Sequence, residues 1–395
     1  MNLELSSFAA RVRDLIACQR PAVDDQQFSE LALELFALQF KHNSAYRKIC
    51  EARKLTPQVV EHWTQIPAVP AAAFKELELT SIPVEERTAV FHSSGTTDQK
   101  PSRHFHCAES LAVYESSLWN WFSENAVASF AADTPSFRPA PVGEQDRGRS
   151  RRNLADLEMI AFTPPPAAAP HSSLIHMFET VRQRLGRASV PASRSDFFGQ
   201  LEADGSWTLD FEATLAALNA SLATGHPSLV LGTAFSFVHM LDYLVEKNLR
   251  LVLPAGSRVM ETGGYKNRSR TMSKSELHTL ITDRLGVPRE NILCEYGMSE
   301  LSSQAYDAEI HPPASILHPR IFRFPAWARV QIVSPETGRE VTDGDTGLIR
   351  ILDLANVFSV AAIQTEDLGV HRGDGFELIG RAQLAEPRGC SLMTI

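Results

Sequence analysis

Asn291-Ile292-Leu293-Cys294-Glu295-Tyr296-Gly297-Met298-Ser299-Glu300 is the stretch on which the fold turns. Its first half, Asn291–Tyr296, is short and mainly apolar and reads as a buried strand. Directly behind it come an aromatic, a glycine and an acid. Such a set offers a stacking face, a close turn and a metal ligand. Alone the pattern is weak, because most acids after a strand are simply solvated.

Outward from this stretch, strands and helices alternate. Leu157–Phe162, Ser228–Gly232 and Arg250–Leu253 read as strands. Ser172–Leu185, Thr233–Tyr243 and Lys274–Leu285 read as helices, with apolar residues at helical spacing. The alternation predicts an α/β protein with a mainly parallel sheet. Residues 1–55 read as helices, as do Ala108–Phe130. Val90-Phe91-His92 reads as a strand feeding a polar loop. Residues 131–152 read as a solvated loop, with Arg147, Arg149, Arg151 and Arg152 as a weaker anion-contact candidate. Beyond residue 320 the texture changes. Ala328–Val333, Gly347–Leu352 and Phe376–Ile379 suggest a small β subdomain with Gly and Asp turns.

Composition narrows the function classes. The 395 residues are 44% hydrophobic and 22% charged, ordinary for a globular protein. Lys and Arg number 38 against 47 Asp and Glu, a net −9 that argues against a nucleic-acid partner. The five cysteines are scattered without a CxxC pair, which speaks against a zinc cage or disulfide framework and for a reducing, cytoplasmic setting. The amphipathic, acid-bearing N-terminus resembles no secretory signal. The longest uncharged stretch, Ala213–Leu241, is broken by Gly225-His226-Pro227 and predicts no membrane span.

Two further motifs carry chemistry. His92-Ser93-Ser94-Gly95-Thr96-Thr97-Asp98-Gln99-Lys100-Pro101-Ser102 packs hydroxyls and a glycine behind a strand. Successive backbone N–H groups there can form an anion nest, with hydroxyls as extra donors. A polar turn is the competing reading, and the Walker A pattern is absent. Thr365-Glu366-Asp367-Leu368-Gly369 precedes Gly373–Arg381. A turn-held Asp suits vicinal sugar hydroxyls, and an Arg after a hairpin suits a phosphate or ribose. Ordinary hairpin residues would look the same.

The order of the three motifs resembles the adenylate-forming superfamily of acyl- and aryl-CoA ligases, luciferases and peptide-synthetase adenylation domains. That resemblance implies a large adenylation (acyl-CoA synthetase-like) domain with a small β subdomain and a C-terminal domain largely absent. It divides the chain into an α/β core at 1–320, a β subdomain at 321–381 and a tail at 382–395. It implies ATP and Mg2+ as cofactors. Ser93, Ser94, Gly95, Thr96 and Thr97 would bind the triphosphate, with Thr96 also catalytic. Tyr296 and Gly297 would meet the adenine and Ser299 the phosphate. Glu300 would hold magnesium, Asp367 the ribose and Arg381 the ribose and phosphate region. Two positions depart from the superfamily pattern. Lys100 is displaced by one residue, and Gln383 stands where a hinge acid is usual.

Shorter strings resemble one branch, the LuxE-type acyl-protein synthetases or long-chain fatty acid–protein ligases. They are Phe162–Pro166 and Pro170–Phe178, Thr262-Gly263-Gly264-Tyr265-Lys266, and Arg388-Gly389-Cys390-Ser391. In that branch a fatty acid becomes acyl-AMP, moves to a cysteine near the C-terminus, and passes to a fatty acid reductase. Cys390 is the matching nucleophile, Gly263 and Gly264 join the cofactor site, and Lys266 is a catalytic candidate. Lys266, Arg372 and Arg388 are candidates to replace the lysine of the missing domain. Cys294 reads as structural. The acid, fatty or aryl, is expected near His171, Gly232 and Phe235, between Pro164–Phe178 and Gly232–Leu241. Phe237, Val238, Met240, Ile175 and Met177 there are either pocket or core. The partner is a protein acyl acceptor such as a reductase or carrier, and a homo-oligomer is open. Two alternatives stand beside this reading: a short acyl- or aryl-CoA ligase, and an inactive nucleotide-binding partner protein.

Overall fold

A computed structural model describes residues 2–18, 23–93, 100–127, 157–186, 196–202, 207–263, 272–307 and 320–382. In chain order their strands are β1 (Val69–Pro70), β2 (Ala89–His92), β3 (Arg103–His106), β4 (Glu158–Ala161), β5 (Gly199–Leu201), β6 (Trp207–Leu209) and β7 (Ser228–Thr233). Then follow β8 (Arg258–Thr262), β9 (Ile292–Tyr296), β10 (Ala305–Tyr306), β11 (Ala328–Val333), β12 (Thr346–Asp353), β13 (Ala362–Arg372) and β14 (Gly375–Arg381).

The central sheet has the order β10-β9-β8-β7-β4. Strands β4, β7, β8 and β9 run parallel, and β10 closes the edge antiparallel to β9. Helices Ser173–Arg184 and Phe211–Thr224 lie between β4 and β7. Ala234–Glu246 and Lys274–Leu285 make the next two crossovers. Alternate strand residues face opposite cores, as the pleat requires. Met159, Ala161, Leu229, Leu231, Met260 and Leu293 join one cluster with helices Ala108–Phe122 and Ser173–Arg184. Ile160, Val230, Val259 and Ile292 join the other, with Ala234–Glu246 and Lys274–Leu285. Covered on both faces, these strands are buried throughout, the usual condition of parallel sheets.

Local signals set the crossover ends. Ser273 and Glu276 cap Lys274–Leu285 reciprocally, and Gly286 ends it in the left-handed conformation. Thr233 and Ser236 cap Ala234–Glu246 in the same reciprocal way.

The second sheet runs β1-β13-β12-β11, with β14 on β13. Its core holds Ile332, Ile349, Ile351, Ile363 and Phe376 together with Phe8, Phe28 and Phe36 of the N-terminal helices. Gln39, fully buried in helix Asp25–His42, fastens the two. Its amide donates to the carbonyls of Asn356 at 2.8 Å and Val357 at 3.1 Å, and its oxygen accepts from Ala361 N at 3.0 Å.

Two expectations from the sequence differ from the structure. Arg250–Leu253 is not a strand: Leu251 N and Leu253 N donate to the carbonyls of Arg284 and Leu285 at a helix end. The sheet strand is Arg258–Thr262, whose Arg258 and Glu261 disguise it as polar. Asp367 lies within an eleven-residue strand rather than a turn, beside an irregularity in the β13–β14 register between Leu368 and Gly369. Among the described residues no helix is long and apolar enough to cross a membrane.

Candidate active site

The carboxyl ends of parallel strands are where α/β sheets place ligands. Here β9 ends at Tyr296, and the segment Gly297–Gln304 crosses to β10. This short segment reaches two groups of residues distant in sequence.

One group lies at the base of the hydroxyl loop. Ser93 ends the β2 side, and its Oγ accepts from Ser102 N at 3.0 Å. Ser102 Oγ sits 3.4 Å from Ser299 Oγ, and Ser299 Oγ donates to Glu300 Oε2 at 3.1 Å. Glu300 is only 4% exposed. Burial pushes its carboxyl up from the ordinary range, and the Ser102 and Ser299 hydroxyls and the more distant Lys75 draw it partly back. Ser94, Gly95, Thr96 and Thr97 lie outside the described residues. Lys100 is exposed and pairs with Glu76 at 3.4 Å.

The other group lies on the second sheet. Tyr296 donates its hydroxyl to Asp367 Oδ2 at 2.9 Å. Its ring stands edge-on to Phe376, with centroids 5.3 Å apart. Asp367 faces Arg381 across the β13–β14 ladder. Side chains so paired share one face. Arg381 is exposed, with Nη2 3.6 Å from Glu366 Oε2. Burial raises the Asp367 carboxyl, while Tyr296 and Arg381 pull it back.

Residues that the sequence did not single out hold the crossing segment. Asp353 accepts from Ser302 N at 2.9 Å and Ser303 Oγ at 2.8 Å. Burial raises its carboxyl to about 6. Asn356 donates to Glu300 O at 2.8 Å, and His104 Nδ1 lies 2.8 Å from Ser299 O. The alternating Arg103-His104-Phe105-His106 is the one local sign of His104. Nothing near Asp353 or Asn356 announces them.

The remaining candidates are spread around this centre. Gly263 directly follows β8 with φ +70, a left-handed conformation that suits glycine. Gly264 and Lys266 lie outside the described residues. Beside Gly263, Thr262 Oγ1 donates to the Glu295 carboxyl, which burial raises to about 7. His171 holds the β2 end: its carbonyl accepts from His92 N at 2.9 Å, and the two rings stack at 4.7 Å. Gly232 is buried in β7 against Phe162, Ser236 and Phe237. Phe235 is half-buried and packs edge-on against His239. Phe237, Val238, Met240, Ile175 and Met177 sit in the two sheet cores. Arg372 pairs with Glu377 at 3.2 Å. Cys294 is buried, and burial pushes its thiol well up. Gln383, Arg388 and Cys390 lie outside the described residues.

A long-chain-fatty-acid–luciferin-component ligase of Vibrio harveyi is 21% identical over 377 residues, covering 93% of this chain and 87% of that protein. The like-named ligase of Aliivibrio fischeri is 23% identical over 196 residues, 47% of this chain, and the match spans about half of that protein (49%). A solved 2-hydroxyisobutyryl-CoA ligase, in complex with 2-HIB-AMP and CoA, superposes with TM-score 0.58 at 13% identity. It covers 91% of this chain and 71% of that one, so the two share a fold. The same ligase in its thioesterification state gives TM-score 0.59 at 14% identity, over 92% and 70% of the two chains. The fold is therefore the α/β fold of the adenylate-forming ligases. The family description "Acyl-protein synthetase, LuxE" matches residues 5–103 and 184–394. The chain belongs to the acyl-protein synthetase, LuxE, family.

Proposed function

We propose that this protein activates a long-chain fatty acid with ATP as an acyl-adenylate and transfers the acyl group to a protein thiol. One observation carries the reading. The segment Tyr296–Glu300 touches the base of the hydroxyl loop at Ser102 and the Asp367–Arg381 pair at its other end. A nucleotide lying along it would meet phosphate-binding groups at one end and sugar-binding groups at the other.

In this reading the carboxylate oxygen of the acid attacks the α-phosphorus of ATP. The bond to the β-phosphate oxygen breaks and pyrophosphate leaves. Ser93 through Thr97 donate to the phosphates, and Lys266 adds positive charge. Tyr296 and Gly297 face the adenine, Asp367 accepts from the ribose hydroxyls, and Arg381 meets the sugar and phosphate. His171, Gly232 and Phe235 border the acid. A thiolate, that of Cys390, then attacks the acyl carbonyl carbon. AMP departs with the electron pair, leaving a thioester. In the same reading, residues 1–320, 321–381 and 382–395 are the core, the β subdomain and the acyl-carrying tail.

Glu300 fits magnesium. Among the described residues no three metal-binding side chains converge, and Glu300 meets the hydroxyls of Ser102 and Ser299 and the charge of Lys75. A buried carboxylate that supplies one ligand suits a cation whose remaining ligands are phosphate oxygens and water. When bound, the ion would spread the negative charge of the phosphates.

The test is ATP–pyrophosphate exchange with a panel of fatty and aryl acids, followed by mass spectrometry of the intact protein. Glu300→Ala should lower magnesium-dependent exchange by roughly 100-fold or more. Wild-type exchange in that variant would remove Glu300 from the site. Cys390→Ser should keep exchange but lose the hydroxylamine-labile acyl adduct. An adduct that survives the substitution places the acyl group elsewhere, and a CoA thioester formed in its stead would make the protein a CoA ligase.

A further inference from the structure

The β2–β3 hairpin carries His104, a side chain that the adenylation reading leaves without a task. It is 3% exposed. Its Nδ1 lies 2.8 Å from the Ser299 carbonyl oxygen. A carbonyl only accepts, so Nδ1 carries the proton and donates. The ring is held edge-on by Phe74, with centroids 6.2 Å apart, and packs against His106 at 4.3 Å. On the other flank, Asn356 Nδ2 donates to the next carbonyl, that of Glu300, at 2.8 Å. Two consecutive carbonyls of one short segment are thus held by N–H donors from separate elements. The peptide that joins Ser299 to Glu300 has little freedom left, and the direction of the Glu300 carboxyl follows from it.

The donor is neutral. Burial lowers the His104 imidazole to about 4, so the ring is uncharged at neutral pH. That matters beside Glu300. A lysine or arginine in this place would attract the buried carboxylate and compete with a bound cation. A neutral N–H holds the backbone and adds no charge beside the carboxylate.

We propose that His104 is a positioning residue, which fixes the Ser299–Glu300 peptide so that the Glu300 carboxylate is aimed at the divalent cation of the nucleotide. The inference rests on the adenylation reading for what the cation accompanies. Its geometry rests on the two hydrogen bonds.

Three variants of the full chain test it. His104→Leu keeps apolar bulk and removes the donor. His104→Asn restores an N–H at the δ position, whereas His104→Gln moves it one methylene further out. Binding of ATP is followed by calorimetry across a magnesium titration, and exchange is measured beside it. His104→Leu should raise the half-saturating magnesium concentration about tenfold, as loss of roughly one hydrogen bond predicts. KM for the acid should stay within about twofold, since the donor does not face that substrate. His104→Asn should fall near wild type, and His104→Gln near His104→Leu. A folded His104→Leu with the wild-type magnesium requirement would overturn the proposal. So would an Asn variant no better than Gln, a comparison that decides the matter even if the Leu variant does not fold. A wild-type protein that binds ATP with magnesium but exchanges with no acid would sink the adenylation reading and leave the binding test of His104 standing. No magnesium-dependent ATP binding at all would overturn both.

Discussion

Tyr296 is a phenol whose hydroxyl has a partner of its own. The hydroxyl donates to Asp367 at 2.9 Å, and the ring is 7% exposed among Phe322, Phe324 and Phe376. Sequence suggested only the ring, because an aromatic before a glycine advertises a stacking face and says nothing of a carboxylate 71 positions away. Tyr296→Phe keeps the aromatic contacts and deprives Asp367 of a donor. Stability in urea should drop by about 1–2 kcal/mol. Affinity for ATP, read by calorimetry, should weaken several-fold, since the Asp367 carboxyl loses a bond that holds its charge and its direction. A variant with unaltered stability and affinity would mean that the hydroxyl has no part in orienting Asp367.

At the scale of elements, β7 and β8 differ in how openly they declare themselves. Ser228-Leu229-Val230-Leu231-Gly232-Thr233 is a short apolar run ending at a helix cap, and it is a strand. At Gly232 the crossover helix packs directly on the strand. A Cβ there would meet Ser236 Oγ at 2.9 Å, Phe162 Cβ at 3.0 Å and Phe237 Cε2 at 3.1 Å. Gly232→Ala should therefore cost about 1–3 kcal/mol by overcrowding, measured in denaturant. A neutral or stabilising result would show that the helix can move outward. By contrast, β8 hides behind Arg258 and Glu261, and the apolar Leu251-Val252-Leu253 nearby imitates a strand. Its amides turn to a helix end instead, and Val252 is 64% exposed. Hydrophobic runs mark strands only where neighbouring strands complete the ladder.

At the scale of the whole molecule, a buried ionic cluster ties the parallel sheet to its last crossover helix and to the segment entering the second sheet. Glu261 of β8 lies 3.2 Å from Lys274 Nζ and 3.3 Å from His278 Nε2. Asp307 and Arg320 pair beside them. Burial alone would raise the Glu261 carboxyl, but Lys274 and His278 outweigh it and hold it at about 2. Its folded value lies below its unfolded one of 4.5. The stability it contributes is therefore present above about pH 4.5 and is lost as pH falls toward 2. Glu261→Gln removes the carboxylate facing Lys274 and His278 and, with Lys274 partly exposed and its charge screened, should destabilise the protein by about 1–3 kcal/mol at pH 7. The gap from wild type should narrow below pH 4.5 in urea titrations. A gap constant with pH would place the cost in packing rather than charge. The sequence by itself determined the alternation of strands and helices, the capped helix Lys274–Leu285 and the order of the three motifs, because each is written in neighbouring residues. Only the tertiary structure decided that Ser102 and His104 meet Ser299, across 197 and 195 positions, and that Asp353 and Asn356 hold the segment between. The same holds for the N-terminal helices, whose core is that of the C-terminal sheet. Such contacts join elements far apart in sequence, and the packing that brings them together leaves no period in the chain.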